Sequence, residues 1–75
     1  MHYTISSLND VQFDQMLDLN KTGNKYSVYL YHKDTKKVAH KTFDNIGDAY
    51  AIFEKLARHI CFGDYSFNDR MAMLA

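Results

Sequence analysis

The chain has 75 residues, nine acidic and nine basic side chains, one cysteine and neither proline nor tryptophan. Such a length allows one domain with a marginal core, burying about 60–65% of its unfolded surface, and leaves no room for a deep pocket. One cysteine excludes a disulfide framework or a four-cysteine zinc site and fits a reducing setting, while zero net charge argues against a dedicated polyanion binder. With 47% apolar and 15% aromatic residues against a balanced charge, the composition is that of a folded chain rather than a disordered one. No stretch approaches the roughly 18 apolar residues of a membrane span, and Met1 to Leu8 lacks the basic start and apolar run of a secretory signal. The expectation is a single compact domain over residues 1–75, cytoplasmic, with no membrane partner.

Taken in chain order, the N-terminal third admits two readings. Tyr3 and Ile5 suit a short strand, and Val11, Phe13, Leu17 and Leu19 nearly alternate, interrupted by Gln15. Against this, Asp10, Asp14 and Asp18 lie four apart, and Ser7 with Asp10 has the spacing of a helix capping box. The strand is favoured, because the alternation covers both the apolar and the acidic positions. It would put Asp14, Met16 and Asp18 on the solvent side and pair with the next segment through a turn at Asn20–Lys25.

Tyr26-Ser-Val-Tyr-Leu-Tyr-His32 is rich in aromatic and β-branched residues, and Val38-Ala-His-Lys-Thr-Phe43 resumes that composition after a polar break. With Asp34–Lys37 as the loop, Lys33 faces Val38, Tyr31 faces His40 and Tyr29 faces Thr42. Val28, Leu30, Ala39 and Phe43 then share one side, and Tyr29, Tyr31 and His40 the other. A helix follows. Asn45 caps it with Asp48 answering, and Ile46, Ala49, Ile52, Phe53, Leu56 and Ile60 form one apolar stripe. Gly63 is placed to end this helix, and Ser66 to cap a short terminal one carrying Phe67, Met71 and Leu74. The predicted fold is α+β: a small antiparallel sheet, made of a hairpin at about 26–43 and a further N-terminal strand, covered by one main helix at about 46–62 and a short C-terminal helix.

No chemistry-bearing constellation emerges. His59 and Cys61 are two apart on a helix and diverge, and His32 and His40 fall on opposite faces of the hairpin, which is wrong for shared metal ligation. Cys61 lies beside the packing stripe, where a free cysteine is ordinarily a small hydrophobe, and His59 does not reach it as a base. The carboxylates of Asp10, Asp14 and Asp18 lack the glycine and alternating oxygen ligands of a calcium loop. They read as a solvated acidic edge, open to a basic partner. The three glycines are too scattered for a phosphate loop. The expectation is therefore no catalytic, metal or cofactor residue and no enzyme.

Charge is segregated beneath the zero total. Residues 1–20 carry three acidic groups and no basic one, and residues 21–41 carry six lysines against Asp34. Lys33, Lys36, Lys37 and Lys41 cluster near the hairpin tip with Tyr29 and Tyr31 beside them. Lysines interleaved with tyrosines suit either a protein interface or a nucleic-acid backbone with stacked bases. The plain alternative is an edge strand guarded by lysine against self-pairing.

The stretch from Tyr26 through Phe53 runs a hairpin straight into an amphipathic helix. In size and layout it resembles the small α+β proteins with which bacterial viruses block host enzymes, anti-CRISPR proteins among them. The resemblance spans about half the chain and transfers no functional residue. It implies a stoichiometric inhibitor of a host enzyme or nucleoprotein complex. The expected contacts are Tyr29, Tyr31, Lys33, Lys36, Lys37, Lys41, Asp10, Asp14 and Asp18. A nucleic-acid-binding accessory protein using the Tyr/Lys hairpin is the alternative. Homodimerisation through Phe62, Phe67, Met71 and Met73 is a further expectation, unless these residues pack on the core of their own domain.

Overall fold

A computed structural model describes residues 2–12, 14–62 and 67–74; the expectations for Phe13, Gly63 and Ser66 fall outside them. Strands β1 (His2–Asp10), β2 (Gln15–Thr22), β3 (Lys25–His32) and β4 (Lys37–Phe43) precede helices α1 (Ile46–Cys61) and α2 (Phe67–Ala72). The strands form one antiparallel sheet in the order β1-β2-β3-β4, and α1 packs across β2, β3 and β4. The α+β class and the sheet-under-helix layout are as the sequence predicts.

One face of the sheet is the core. Leu17 and Leu19 of β2 and Val28 and Leu30 of β3 alternate inward and meet Ala49, Phe53 and Leu56 of α1, with Leu74 closing one end. Each such aliphatic side chain, fully buried, contributes about 2 kcal/mol from lost apolar exposure. Helix α1 begins where Asn45 Oδ1 accepts the Asp48 N–H at 2.9 Å, and Asn45 Nδ2 donates to the Asp48 carboxylate at 2.9 Å. That cap satisfies one orphan donor of the first turn and puts a negative charge at the positive end of the helix.

The β3–β4 register departs from expectation by two residues: Tyr29 faces His40, Tyr31 faces Val38 and His32 faces Lys37. The turn occupies Lys33–Lys36 rather than Asp34–Lys37, and Lys36 takes the left-handed conformation at φ 61° that closes it. Both loops have four residues, so each side chain keeps its face, and His32 and His40 remain on opposite sides.

The N-terminal third is two strands, not one. β1 runs nine residues, and a register shift between Thr4 and Ser6 leaves Ile5 without a partner on β2. This bulge sets Tyr3 on the same side of the sheet as Ser6, Leu8 and Asp10, although Tyr3 itself stays half exposed. β2 extends through Asn20 to Thr22, because Gly23 at φ 62° makes a two-residue turn with Asn24 sufficient. Ser6, Ser7 and Asn9 are poor strand formers; their pairing along β2 overrides propensity.

Helix α2 is short, and one buried residue anchors it. Arg70, fully inaccessible, donates to Asp10 Oδ2 at 3.1 Å and to Gln15 Oε1 at 2.6 Å. Phe67, Met71 and Met73 pack against the core from the same side. They therefore belong to their own domain, whereas Phe62, 85% accessible, stands in solvent. Cys61, at the last turn of α1, is likewise exposed rather than packed as the small hydrophobe expected beside the stripe.

Candidate functional site

The face of the sheet away from α1 carries no covering element among the described residues. The register organises it into three lateral rows: Asn9–Met16–Tyr31–Val38, Ser7–Asp18–Tyr29–His40 and Thr4–Asn20–Ser27–Thr42. The rings of Tyr29 and His40 stack with centroids 5.0 Å apart and planes 25° from parallel. Such cross-strand pairing is a normal source of sheet stability, and here the two rings meet face to face. Ser7 Oγ donates to Asp18 Oδ1 at 2.6 Å, and the Ser27 and Thr42 hydroxyls pair at 3.0 Å.

Met16, Asp18, Asn20, Tyr29, Tyr31 and Val38 line a shallow depression of roughly 450 Å³ on this face. Its floor is mostly apolar, and Val38 is half exposed. Asn20, although on the uncovered face, is only 6% accessible, and its Oδ1 has no hydrogen-bond partner among the described residues. An unsatisfied acceptor of this kind costs about 1–3 kcal/mol. A second depression lies on the outer side of α1 between Ala51, Glu54, Lys55 and Arg58. Long surface side chains of a single helix form it, and Arg58 pairs there with Glu54 at 2.6 Å.

The residues singled out from sequence separate. Tyr29, Tyr31 and Asp18 meet on the uncovered face. The lysines do not join them as a cluster. Lys37 and Lys41 alternate with Val38 and His40 and point to the helix side of edge strand β4, Lys41 lying 5.7 Å from the centre of the Phe43 ring. Lys36 sits in the β3–β4 turn. Lys33 bends over the end of the sheet and donates to Asn9 Oδ1 at 2.7 Å, while its backbone N–H donates to the Asp14 carbonyl at 2.9 Å.

Nor do the three aspartates form the acidic edge. Asp10 is buried against Arg70, Asp14 occupies the β1–β2 turn at φ 57°, and only Asp18 faces outward on a strand. A spacing of four aligns side chains on a helix, and this segment is two strands and a turn. Met16, Asn20 and Val38 complete the depression without having been candidates. Strand alternation already places Met16 beside Asp18, whereas Asn20 was hidden by its assignment to a turn.

One carboxylate is electrostatically perturbed. Lys25, on the strand entering the hairpin, hydrogen-bonds Asp44 and adds its charge, which together hold the Asp44 carboxyl below its ordinary range. Depression in the folded state means that this pair stabilises the fold above the ordinary carboxylate pKa. The contribution is lost as pH falls below about 4. The Asp44 side-chain carboxyl, followed by NMR, is expected to titrate at lower pH than a free aspartate. Its midpoint should return upward in Lys25→Ala, and an unchanged midpoint would refute the pairing.

Among the described residues no helix is long and apolar enough to cross a membrane, and no three His, Cys, Asp or Glu side chains group as for a metal ion. What the fold defines is an antiparallel sheet with one face under a helix and the other uncovered among the described residues. Comparison with known proteins adds no relative: no protein-family model, no curated protein and no solved structure matches the chain.

Proposed function

We propose that this protein is a non-catalytic binding module that occludes a working surface of a larger protein, and that the uncovered sheet face makes the contact. The observation that carries this reading is the mostly apolar depression framed by Tyr29, Tyr31, Met16 and Val38, with Asp18 the one charged side chain lining it. Tyrosine and methionine are enriched at the cores of protein interfaces and lysine is depleted, which is the distribution found here. The depression is open and shallow, suited to a protruding side chain rather than to a reaction sequestered from water. Four strands of about eight residues present a face roughly 19 by 26 Å. That is below the standard contact of about 800 Å² per partner, so the turn at 33–36 adds to it. A stoichiometric inhibitor of a host enzyme or nucleoprotein complex, of the kind bacterial viruses make, fits this scale.

The stacked Tyr29–His40 pair favours one second reading, single-stranded nucleic acid on the same face. Its weakness is the placement of Lys37 and Lys41 on the other side of β4, where they cannot neutralise phosphates lying over the tyrosines.

Affinity capture from the lysate in which the protein acts tests the proposal. Tyr31→Asp and Val38→Asp are expected to lose the partner that the wild-type protein retains, while Glu54→Lys on the outer side of α1 keeps it. Retention by both face variants would overturn the assignment. A salt-sensitive mobility shift of single-stranded nucleic acid, abolished in Tyr29→Ala and Tyr31→Ala, would install the second reading.

A further inference from the structure

We infer that the depression on the uncovered face is a receptor for an arginine side chain of the partner protein. This inference rests on the protein-binding reading of that face and specifies its chemistry. Three features of the site converge on a planar cation with an apolar stem. The charge lining the depression is a single carboxylate, Asp18, and no lysine or arginine lines it. Asn20 Oδ1 is an acceptor without a hydrogen-bond partner among the described residues, on a side chain more than nine-tenths buried in the same wall. Tyr29 and Tyr31 present half-buried aromatic surface beside these two acceptors, with Met16 and Val38 extending it.

The spacing fits the ligand. Asp18 and Asn20 flank the inward-pointing Leu19, so they stand on one face of β2 about 7 Å apart. A guanidinium between them directs donors both ways, to the Asp18 carboxylate and, after rotation of the amide, to Asn20 Oδ1. Its plane stacks on a tyrosine face, where the ring quadrupole attracts the cation, and its methylenes cover Met16 and Val38. Ser7 already donates to Asp18 Oδ1 and orients the carboxylate for this role. A lysine ammonium meets Asp18 but does not match the planar tyrosine surface or reach both acceptors. A nucleobase stacks as well, yet its phosphates meet Asp18 with no cation lining the depression to offset the repulsion.

The test is a titration of the isotope-labelled full chain with N-acetyl-arginine amide, with the neutral isostere N-acetyl-citrulline amide and with guanosine monophosphate. The arginine probe is expected to shift the amide signals of Asp18, Asn20, Tyr29 and Tyr31 saturably, with dissociation on the order of 1 mM for so small a ligand. Citrulline should bind at least about fivefold more weakly, and Asp18→Asn, which keeps an acceptor for Ser7, should weaken the arginine probe by a similar factor. Tyr31→Ala serves as a second variant with the same expected loss. Equal response to citrulline, an arginine response mapping elsewhere, or a response at these residues to the nucleotide alone would overturn the inference. Failure of the inference is separable from failure of the binding reading. A captured partner lost in Tyr31→Asp and retained in Asp18→Asn removes the arginine and leaves the face.

Discussion

Truncation of Arg70 to alanine is expected to destabilise the fold by about 3–5 kcal/mol, the cost of stranding a buried carboxylate without its cation. Asp10 is 7% accessible and Gln15 is 2% accessible, and both point at the same guanidinium. Helix α2, six residues long, is far too short to persist alone, and with Arg70 gone its apolar docking rests on Phe67 and Met71, with Met73 and Leu74 just beyond it. A 75-residue domain has a total stability of roughly 4–11 kcal/mol, so one substitution at the end of the chain removes a large fraction of it. The loss should reach β1 as well, because Arg70 ties α2 to the last residue of that strand across the edge of the sheet. Urea unfolding followed by circular dichroism measures the effect. The double variant Arg70→Met with Asp10→Leu replaces the ion pair by apolar volume and is expected to recover most of the stability. A midpoint for Arg70→Ala close to wild type would show that the pair contributes little. Should Arg70→Ala prove too unstable to purify, the double variant still decides, since its recovery requires that the stranded carboxylate was the cause.

How far the sequence foretells this structure differs from one element to the next, for physical reasons. Helix α1 is legible from Asn45 through Ile60 because its cap and its apolar stripe are local: Asn45, Asp48, Ala49, Phe53 and Leu56 interact within or just across one element, although Ile46, expected in the same stripe, stands 44% exposed. The hairpin faces are legible for a related reason. Side-chain parity survives a register error of two, so Val28 and Leu30 stay inside and Tyr29 and Tyr31 outside although their partners on β4 change. The acidic spacing misleads because a period of four has meaning only on a helix, and Asp10, Asp14 and Asp18 belong to a strand, a turn and the next strand. The lysines mislead in the same way. Lys37 and Lys41 are neighbours of Tyr29 and Tyr31 in the hairpin, yet they lie on the other side of the sheet. Arg70 is invisible to local pattern, since the two side chains it binds are 60 and 55 residues away. Its one trace is Gln15, a polar residue standing where the alternation with Leu17 and Leu19 calls for an apolar one. The depression follows the same division: Asp18, Tyr29 and Tyr31 are given by alternation, while Asn20 enters only once the turn contracts to Gly23 and Asn24.

Adjacent residues on β3 should yield opposite phenotypes, and this contrast bears on fold and function together. Leu30 is fully buried beneath α1. Leu30→Ala removes its transfer energy and opens a cavity in a core of only a few large side chains, at an expected cost of about 2–5 kcal/mol. Tyr31, the next residue, points the other way onto the uncovered face, packed beside Met16 and Val38. Tyr31→Ala leaves the core intact, and its stability cost is expected to be about 1 kcal/mol or less. In binding the order reverses. A tyrosine at the centre of a contact is a common anchor, and its truncation is expected to weaken the partner complex by about 2 kcal/mol, near 30-fold. Leu30→Ala, measured at a temperature where it remains folded, should bind almost as the wild type does. Urea midpoints and partner titrations on the same two variants give the four numbers required. Equal binding losses would mean that the partner responds to the integrity of the fold rather than to this face. A binding loss confined to Tyr31→Ala assigns recognition to the side of the sheet that α1 leaves bare.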